Sequence, residues 1–179
     1  MLRDILDQYK DQSTSLRNQG DLFEALIQSY LLSDPRYTNS LSEVWLWMEF
    51  PFRDQFGGND TGIDLVAKTH KGDYWAIQCK FFDENSTISK GDVDSFLSTS
   101  SRTFDDERGI LQRFNERLWV STTNNWSSNA EEVIKNQEPP VARLNLQNLL
   151  DAPVDWGKIN QGLVGKEVRR EKKSPRPHQ

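Results

Sequence analysis

The sequence predicts an α/β fold, a mixed β-sheet of about four to five strands flanked by helices. Three features predict it. Apolar residues near the N-terminus recur at helical spacing, two apolar-rich runs face each other across a short polar turn, and strand-like and helix-like segments alternate from there on.

The first element, Leu2 to Tyr9, gathers Leu2, Ile5, Leu6 and Tyr9 on one helical face. Ser13, Thr14 and Ser15 offer hydroxyls to cap a second helix, whose stripe of Leu22, Phe23, Leu26, Ile27, Tyr30 and Leu31 is broad enough to face a core. Asp34-Pro35 ends it, because a residue before proline is biased away from helical geometry. Glu43 to Phe50 is rich in aromatic, β-favouring residues and reads as a strand stopped by Pro51. A glycine-containing loop runs from Arg53 to Gly62. Ile63 to Ala67 then reads as a short strand and Tyr74 to Phe82 as a longer one, joined by the turn Thr69 to Asp73 into a β-hairpin.

Ser89 caps a helix carrying Val93, Phe96 and Leu97. The polar stretch around Asp105 to Arg108 leads through a helix into a strand at Leu118 to Thr122. Ser127 or Ser128 caps the next helix, with Glu131 and Glu132 in its first turn, where negative charge complements the helix dipole. Pro139-Pro140 breaks that helix, Val141 to Leu144 supplies a last strand, and Leu146 to Leu150 a short helix. From Lys166 to Arg176 the chain is basic and without periodicity. Residues 1–163 therefore read as one domain and 164–179 as a linker into something that follows.

Composition narrows the function classes. The six Trp and nine Phe supply enough large side chains for a core, although only 35% of the residues are hydrophobic. No apolar run approaches the roughly 20 residues that span a membrane, and the opening MLRDILDQYK lacks the apolar centre of a signal peptide. The single cysteine, Cys79, excludes an internal disulfide and points to a reducing, cytoplasmic setting. The only histidines are His70, in a turn, and His178, in the tail, so no placed imidazole serves a Ser-His-Asp or Cys-His hydrolase. A net charge of -5, from 22 Lys+Arg against 27 Asp+Glu, argues against a self-sufficient nucleic-acid binder, which carries a basic footprint.

The hairpin carries the chemistry. If its turn centres near Lys71, Asp64 lies opposite Gln78. Side chains alternate along a strand, so Gln78 and Lys80 project to one face while Ile77, Cys79 and Phe81 project to the other, apolar one. An acid, an amide and an ammonium on one face suit phosphodiester hydrolysis. A carboxylate is a hard-oxygen ligand for Mg²⁺, the ion lowers the pKa of a bound water, and a nearby lysine stabilises developing oxyanions. Asp60, in the glycine-rich loop, has turn chemistry as its simpler role. Cys79 reads by strand parity as a buried apolar residue, and Trp45 and Trp47 as core.

Gly62-Ile63-Asp64-Leu65-Val66-Ala67 followed by Ile77-Gln78-Cys79-Lys80 resembles the PD-(D/E)XK nuclease motif in its Mrr-type form, with Gln-x-Lys in place of Glu-x-Lys. Gly20-Asp21-Leu22-Phe23-Glu24 is similar to that family's first motif, which implies a place for Glu24 at the metal site. Val120 to Thr123 and Ser127 to Glu132 resemble the strand–helix unit that comes later in Mrr-type domains. Pro175-Arg176-Pro177-His178-Gln179 looks like the opening of a superfamily 2 helicase.

The resemblance implies a restriction-endonuclease-like core and cleavage of double-stranded DNA with Mg²⁺, or Mn²⁺ in its place. The metal would be held by Asp64, Gln78, Glu24 and the backbone carbonyl of Cys79, with Lys80 acting electrostatically. It further implies a place at the N-terminus of a single-chain (Type ISP) restriction–modification enzyme, where ATP serves a helicase motor and a methyltransferase follows on the same polypeptide. The neutral Gln78 keeps open a second reading, a vestigial nuclease fold used for DNA binding or docking.

Overall fold

The computed structural model describes residues 1–57 and 62–170; Asp60 and the tail from 171 onward, with the helicase-like segment, lie outside them. Turn chemistry organises the centre of the fold. Asp73 O accepts from Thr69 N at 2.8 Å, Thr69 O accepts from Gly72 N at 3.0 Å, and Gly72 adopts φ 93°. That tight turn joins β2 (Leu65–Thr69) to β3 (Tyr74–Lys80). The pair is antiparallel with Leu65 opposite Ile77 and Ala67 opposite Trp75, the register expected from a turn centred near Lys71.

The hairpin is the middle of a six-stranded mixed sheet. β1 (Leu41–Leu46) pairs antiparallel with β2, and β6 (Leu111–Ser121) pairs parallel with β3. The other strands of the sheet, β5 (Thr103–Asp105) and β8 (Val141–Leu144), both pair with β6. Two short segments, β4 (Thr87–Ile88) and β7 (Asn125–Trp126), form a separate parallel pair.

Helices cover both faces. On one side α1 (Leu2–Gln12), α2 (Leu16–Leu31) and α7 (Trp156–Asn160) enclose a core that includes Phe23, Ile27, Leu65, Ile77, Cys79, Leu118 and Val120, with α6 (Leu146–Leu150) joining it. On the other, α4 (Lys90–Ser100) and α5 (Ser128–Ile134) cover Val66, Ala76 and Trp119, beside an aromatic cluster of Phe50, Phe56, Tyr74, Phe104 and Phe114. Caps are where the sequence places them. Ser15 accepts from Asn18 N, Ser127 from Ala130 N, and Ser89 with Asp92 forms a reciprocal capping box. α3 (Pro35–Thr38) starts at the Asp34-Pro35 step. The chain beyond residue 163 still packs on the body: Val168 is buried, Gly165 N bonds Ser33 Oγ at 3.0 Å, and Arg169 Nε bonds Ser33 O at 2.9 Å. No helix among the described residues is long and apolar enough to cross a membrane.

Two expectations need correction. The strand expected over Glu43 to Phe50 ends at Leu46 and passes into a 3-10 turn over Trp47–Glu49. Glu49 Oε1 accepts from Leu46 N at 2.9 Å and from Gln28 Nε2 of α2 at 3.0 Å, a partner no local propensity reveals. The helix expected between the polar stretch at Asp105 to Arg108 and the strand at Leu118 is instead the first half of β6, which the polar stretch enters as the turn of the β5–β6 hairpin. Asp106 Oδ1 accepts from Arg108 N at 2.9 Å and Ile110 N at 3.0 Å, and Gly109 takes φ 73°.

Two buried aspartates tie stability to pH. Asp34 is fully buried, and Asp106 nearly so. Burial opposes the ionisation of both. Hydrogen bonds from Arg36 and Tyr30 to Asp34, and from Arg108, Gln112 and the Ile110 and Arg108 main chain to Asp106, outweigh it and hold both carboxyls below their ordinary range. A depressed folded pKa stabilises the fold above the unfolded value of about 4 and is lost as pH falls below it. Asp106→Asn, which keeps the Oδ1 acceptor, is therefore expected to lose less stability than the wild type between pH 7 and pH 3 in urea unfolding. Equal losses would refute this account.

Candidate active site

β2 and β3 part at the end opposite their turn, and the sequence-predicted residues collect there. Asp64 stands one position before β2. Its N–H still donates to Ile77 O at 2.9 Å, and its carbonyl accepts from Trp47 N at 2.9 Å, so its backbone is held by β3 on one side and by the 3-10 turn after β1 on the other. Its Oδ2 accepts from Gln78 Nε2 at 2.7 Å and from Cys79 N at 2.8 Å. The carboxylate thus takes the main-chain donor that a continued β2 would otherwise have paired.

Gln78 is only 3% exposed, because both faces of the hairpin are covered by helices. With its amide N–H given to Asp64, Gln78 has a carbonyl oxygen to offer a cation. Cys79 is buried. Burial, with the charges of Asp64 and Glu24, pushes its thiol well up, which removes it as a nucleophile. The N–H and C=O of one strand residue face the same edge, so the Cys79 carbonyl shares the edge that meets Asp64.

Glu24, on α2, reaches this end of the sheet and lies close enough to Asp64 for the two carboxyls to interact. Its carboxyl is pushed up to about 9, first by burial, then by the charge and hydrogen bond of Asp64 and by Asp21, with Lys80 pulling the other way. One turn further along α2, Gln28 Nε2 donates to Val44 O at 2.9 Å and to Glu49. The sequence reading missed this latch between α2 and β1, although its i+4 spacing from Glu24 could have pointed to it. Lys80 is half-buried at the last position of β3 and makes no ion pair among the described residues.

Gly62 fixes the approach. It adopts φ 74°, and a Cβ there would lie 2.8 Å from Ser95 Oγ and 3.1 Å from Phe96 N of α4. Only glycine lets the chain enter Asp64 this close to a helix backbone. Among the described residues no three His, Cys, Asp or Glu side chains form a metal cluster. Two carboxyls, an amide oxygen and a main-chain carbonyl fit the hard-oxygen, water-completed shell of Mg²⁺ rather than a soft-metal cage. The raised pKa of Glu24 beside Asp64 agrees with that fit, since two neighbouring carboxyls favour a shared proton or a cation between them. A cleft of about 450 Å³ lies elsewhere, at the turn end of the hairpin between Lys68, Lys71 and Arg108, and includes none of these residues.

Comparisons with known proteins agree with the fold. Residues 32–165 match the model of the family Mrr_cat_2, described as restriction endonuclease. Among solved structures, the chain is similar to an ATP-dependent Type ISP restriction-modification enzyme, LlaBIII, bound to DNA. The TM-score is 0.68 at 29% identity, over 97% of this chain and 10% of that one. It is also similar to MspJI restriction endonuclease in complex with a 27-mer oligonucleotide, at a TM-score of 0.43 and 17% identity, over 83% of this chain and 29% of that one. The chain thus spans about a tenth of the Type ISP chain it matches. No curated protein sequence matches it.

Proposed function

This chain belongs to the Mrr_cat_2 restriction endonuclease family, and from that premise we propose that it is the nuclease module of a larger enzyme, hydrolysing DNA phosphodiester bonds with Mg²⁺ or Mn²⁺. The observation that carries the proposal is the gathering at one end of the hairpin of Asp64, whose Oδ2 accepts from Gln78 at 2.7 Å and from Cys79 N at 2.8 Å, with Glu24 beside it and Lys80 ending the strand of Gln78 and Cys79.

The division of labour follows from the geometry. Asp64, aimed by Gln78 and the Cys79 N–H, and Glu24 would hold the metal, with the Gln78 and Cys79 carbonyl oxygens beside them. When bound, the ion polarises the phosphate and lowers the pKa of an attacking water. Lys80 contributes a positive charge on the strand where negative charge grows on the phosphoryl oxygens.

The likeness to a Type ISP enzyme supports a further part of the proposal, that residues 164–179 lead into an ATP-driven helicase and a methyltransferase on the same polypeptide. That arrangement also accounts for the acidic charge of -5, since affinity for DNA would come from the other domains. The bond from Gln78 to Asp64 also favours a second reading, in which the polar groups only stabilise a docking fold.

The test is cleavage of plasmid DNA by the intact protein. Cleavage is expected to need Mg²⁺, to stop with EDTA, and to fall at least about a hundredfold in Lys80→Ala, the scale of losing one transition-state charge contact. Cleavage that survives EDTA, or a Lys80→Ala protein as fast as the wild type, would remove this mechanism. A wild-type protein that binds DNA and never cuts it would favour the docking reading.

A further inference from the structure

β6 ends at Ser121, and Thr122 and Thr123 follow directly; the three hydroxyl residues are 0%, 2% and 0% exposed. Serine and threonine are seldom so deeply buried, so their hydroxyls must be satisfied within the fold. The bonds of Thr122 are unusual in kind. The parallel β3–β6 ladder ends with Lys80 opposite Ser121. One step further, Thr122 N donates to Lys80 O at 3.2 Å. The Thr122 hydroxyl then accepts from Phe82 N at 2.7 Å and donates to Phe82 O at 2.5 Å. A single side-chain oxygen thus serves both main-chain groups of Phe82, extending the ladder past the last strand residue.

The consequence falls on Lys80. Its backbone is clamped on one side by the bond from Cys79 N to Asp64 and on the other by Thr122, through its own carbonyl and through Phe82. No ion pair among the described residues holds its ammonium. The aim of that side chain is therefore set by the backbone beneath it. The neighbouring Thr123 makes a comparable latch farther along, donating to Ser86 O at 2.6 Å and within reach of Glu84 O at 3.0 Å. It secures the loop without touching the Lys80 strand end.

We propose that Thr122 is a positioning residue for Lys80, its hydroxyl holding the end of β3 so that the ammonium meets the scissile phosphate. This rests on the catalytic role given to Lys80 above. The experiment compares Thr122→Val, Thr122→Ser, Thr123→Val and Lys80→Ala in the intact protein. Steady-state DNA cleavage is measured at a temperature where melting curves show each variant folded. Thr122→Val is expected to lower kcat about tenfold to a hundredfold, the scale of an ångström-sized misplacement, with KM for DNA little changed. Thr122→Ser restores most of the rate. Thr123→Val loses comparable melting temperature yet keeps the wild-type kcat.

A kcat for Thr122→Val equal to that of Thr123→Val overturns the proposal, as does failure of Thr122→Ser to recover activity. If Lys80→Ala cleaves at the wild-type rate, the role of Lys80 itself falls. An inactive Lys80→Ala beside a fully active Thr122→Val removes only the positioning role. Because cleavage alone could mislead in a weakened fold, the rate at which an amine-acylating reagent modifies Lys80 gives a second readout by mass spectrometry. It should change in Thr122→Val and not in Thr123→Val.

Discussion

Asp64→Asn is expected to fold as the wild type does and to cleave DNA at least about a thousandfold more slowly, the upper range for losing one preorganised electrostatic group. The substitution separates structure from chemistry. Asp64 Oδ2 accepts from Gln78 Nε2 and Cys79 N, and an asparagine oxygen can accept both bonds. What it removes is the negative charge, and with it most of the attraction for a divalent cation. Asp64→Ala should be equally inactive but also less stable, because it strands the Cys79 N–H and the Gln78 amide at a half-buried site, at about 1–3 kcal/mol for each unsatisfied group. The paired measurements are plasmid cleavage and urea unfolding. An Asp64→Asn protein that cuts at the wild-type rate would end the assignment of Asp64 to the metal.

The second large effect concerns stability. Arg117 on β6 is fully buried and has no carboxylate partner among the described residues. Its guanidinium donates to Pro139 O at 2.6 Å, Gln137 Oε1 at 2.9 Å, Ser100 Oγ and Ser101 Oγ at 3.2 Å, and Leu97 O at 3.3 Å. Burial draws its pKa down, yet an arginine stays charged in a protein. Five partners that are neutral, two of them carbonyls near the C-terminal end of α4 and in the Pro139 loop, replace the water it has lost.

Replacing a whole buried ion pair by apolar groups can be neutral. Removing one side of a network with neutral partners strands its buried acceptors, at about 1–3 kcal/mol for each left without a partner. Here every partner would remain, so Arg117→Met is expected to lose that much in urea unfolding. Arg117→Lys should recover little, because an ammonium cannot span a fork of acceptors that a planar guanidinium bridges. A loss below about 1 kcal/mol, within the range of ordinary surface changes, would show that the network is dispensable.

Much of the architecture could be read from the sequence, and the reason is local. The stripes of α1 and α2, the caps at Ser15, Ser89 and Ser127, and the β2–β3 register depend on spacing and turn residues that lie within one element. The β5–β6 hairpin could not be read this way. The start of β6 runs Leu111-Gln112-Arg113-Phe114-Asn115-Glu116 without clean apolar alternation, and its turn is written in the side chain of Asp106. The 3-10 turn after β1 depends on Gln28, distant in sequence.

The candidate site divides along the same line. Alternation and turn position alone bring Asp64 opposite Gln78 with Lys80 beyond, whereas Glu24 came through resemblance, since nothing local links α2 to the hairpin end. The latch at Thr122 and the network around Arg117 were invisible because their partners belong to other segments.

The parallel pairing of β3 with β6 has a consequence for the order of events during synthesis. A ribosome releases Glu24, Asp64, Gln78 and Lys80 before α4, β5 and the whole of β6 exist. Parallel strands pair only after their crossover is complete, and such long-range contacts form late. The nascent chain therefore carries its candidate cutting groups well before it can align them. A cell making such a protein beside its own chromosome has that delay built into the strand order.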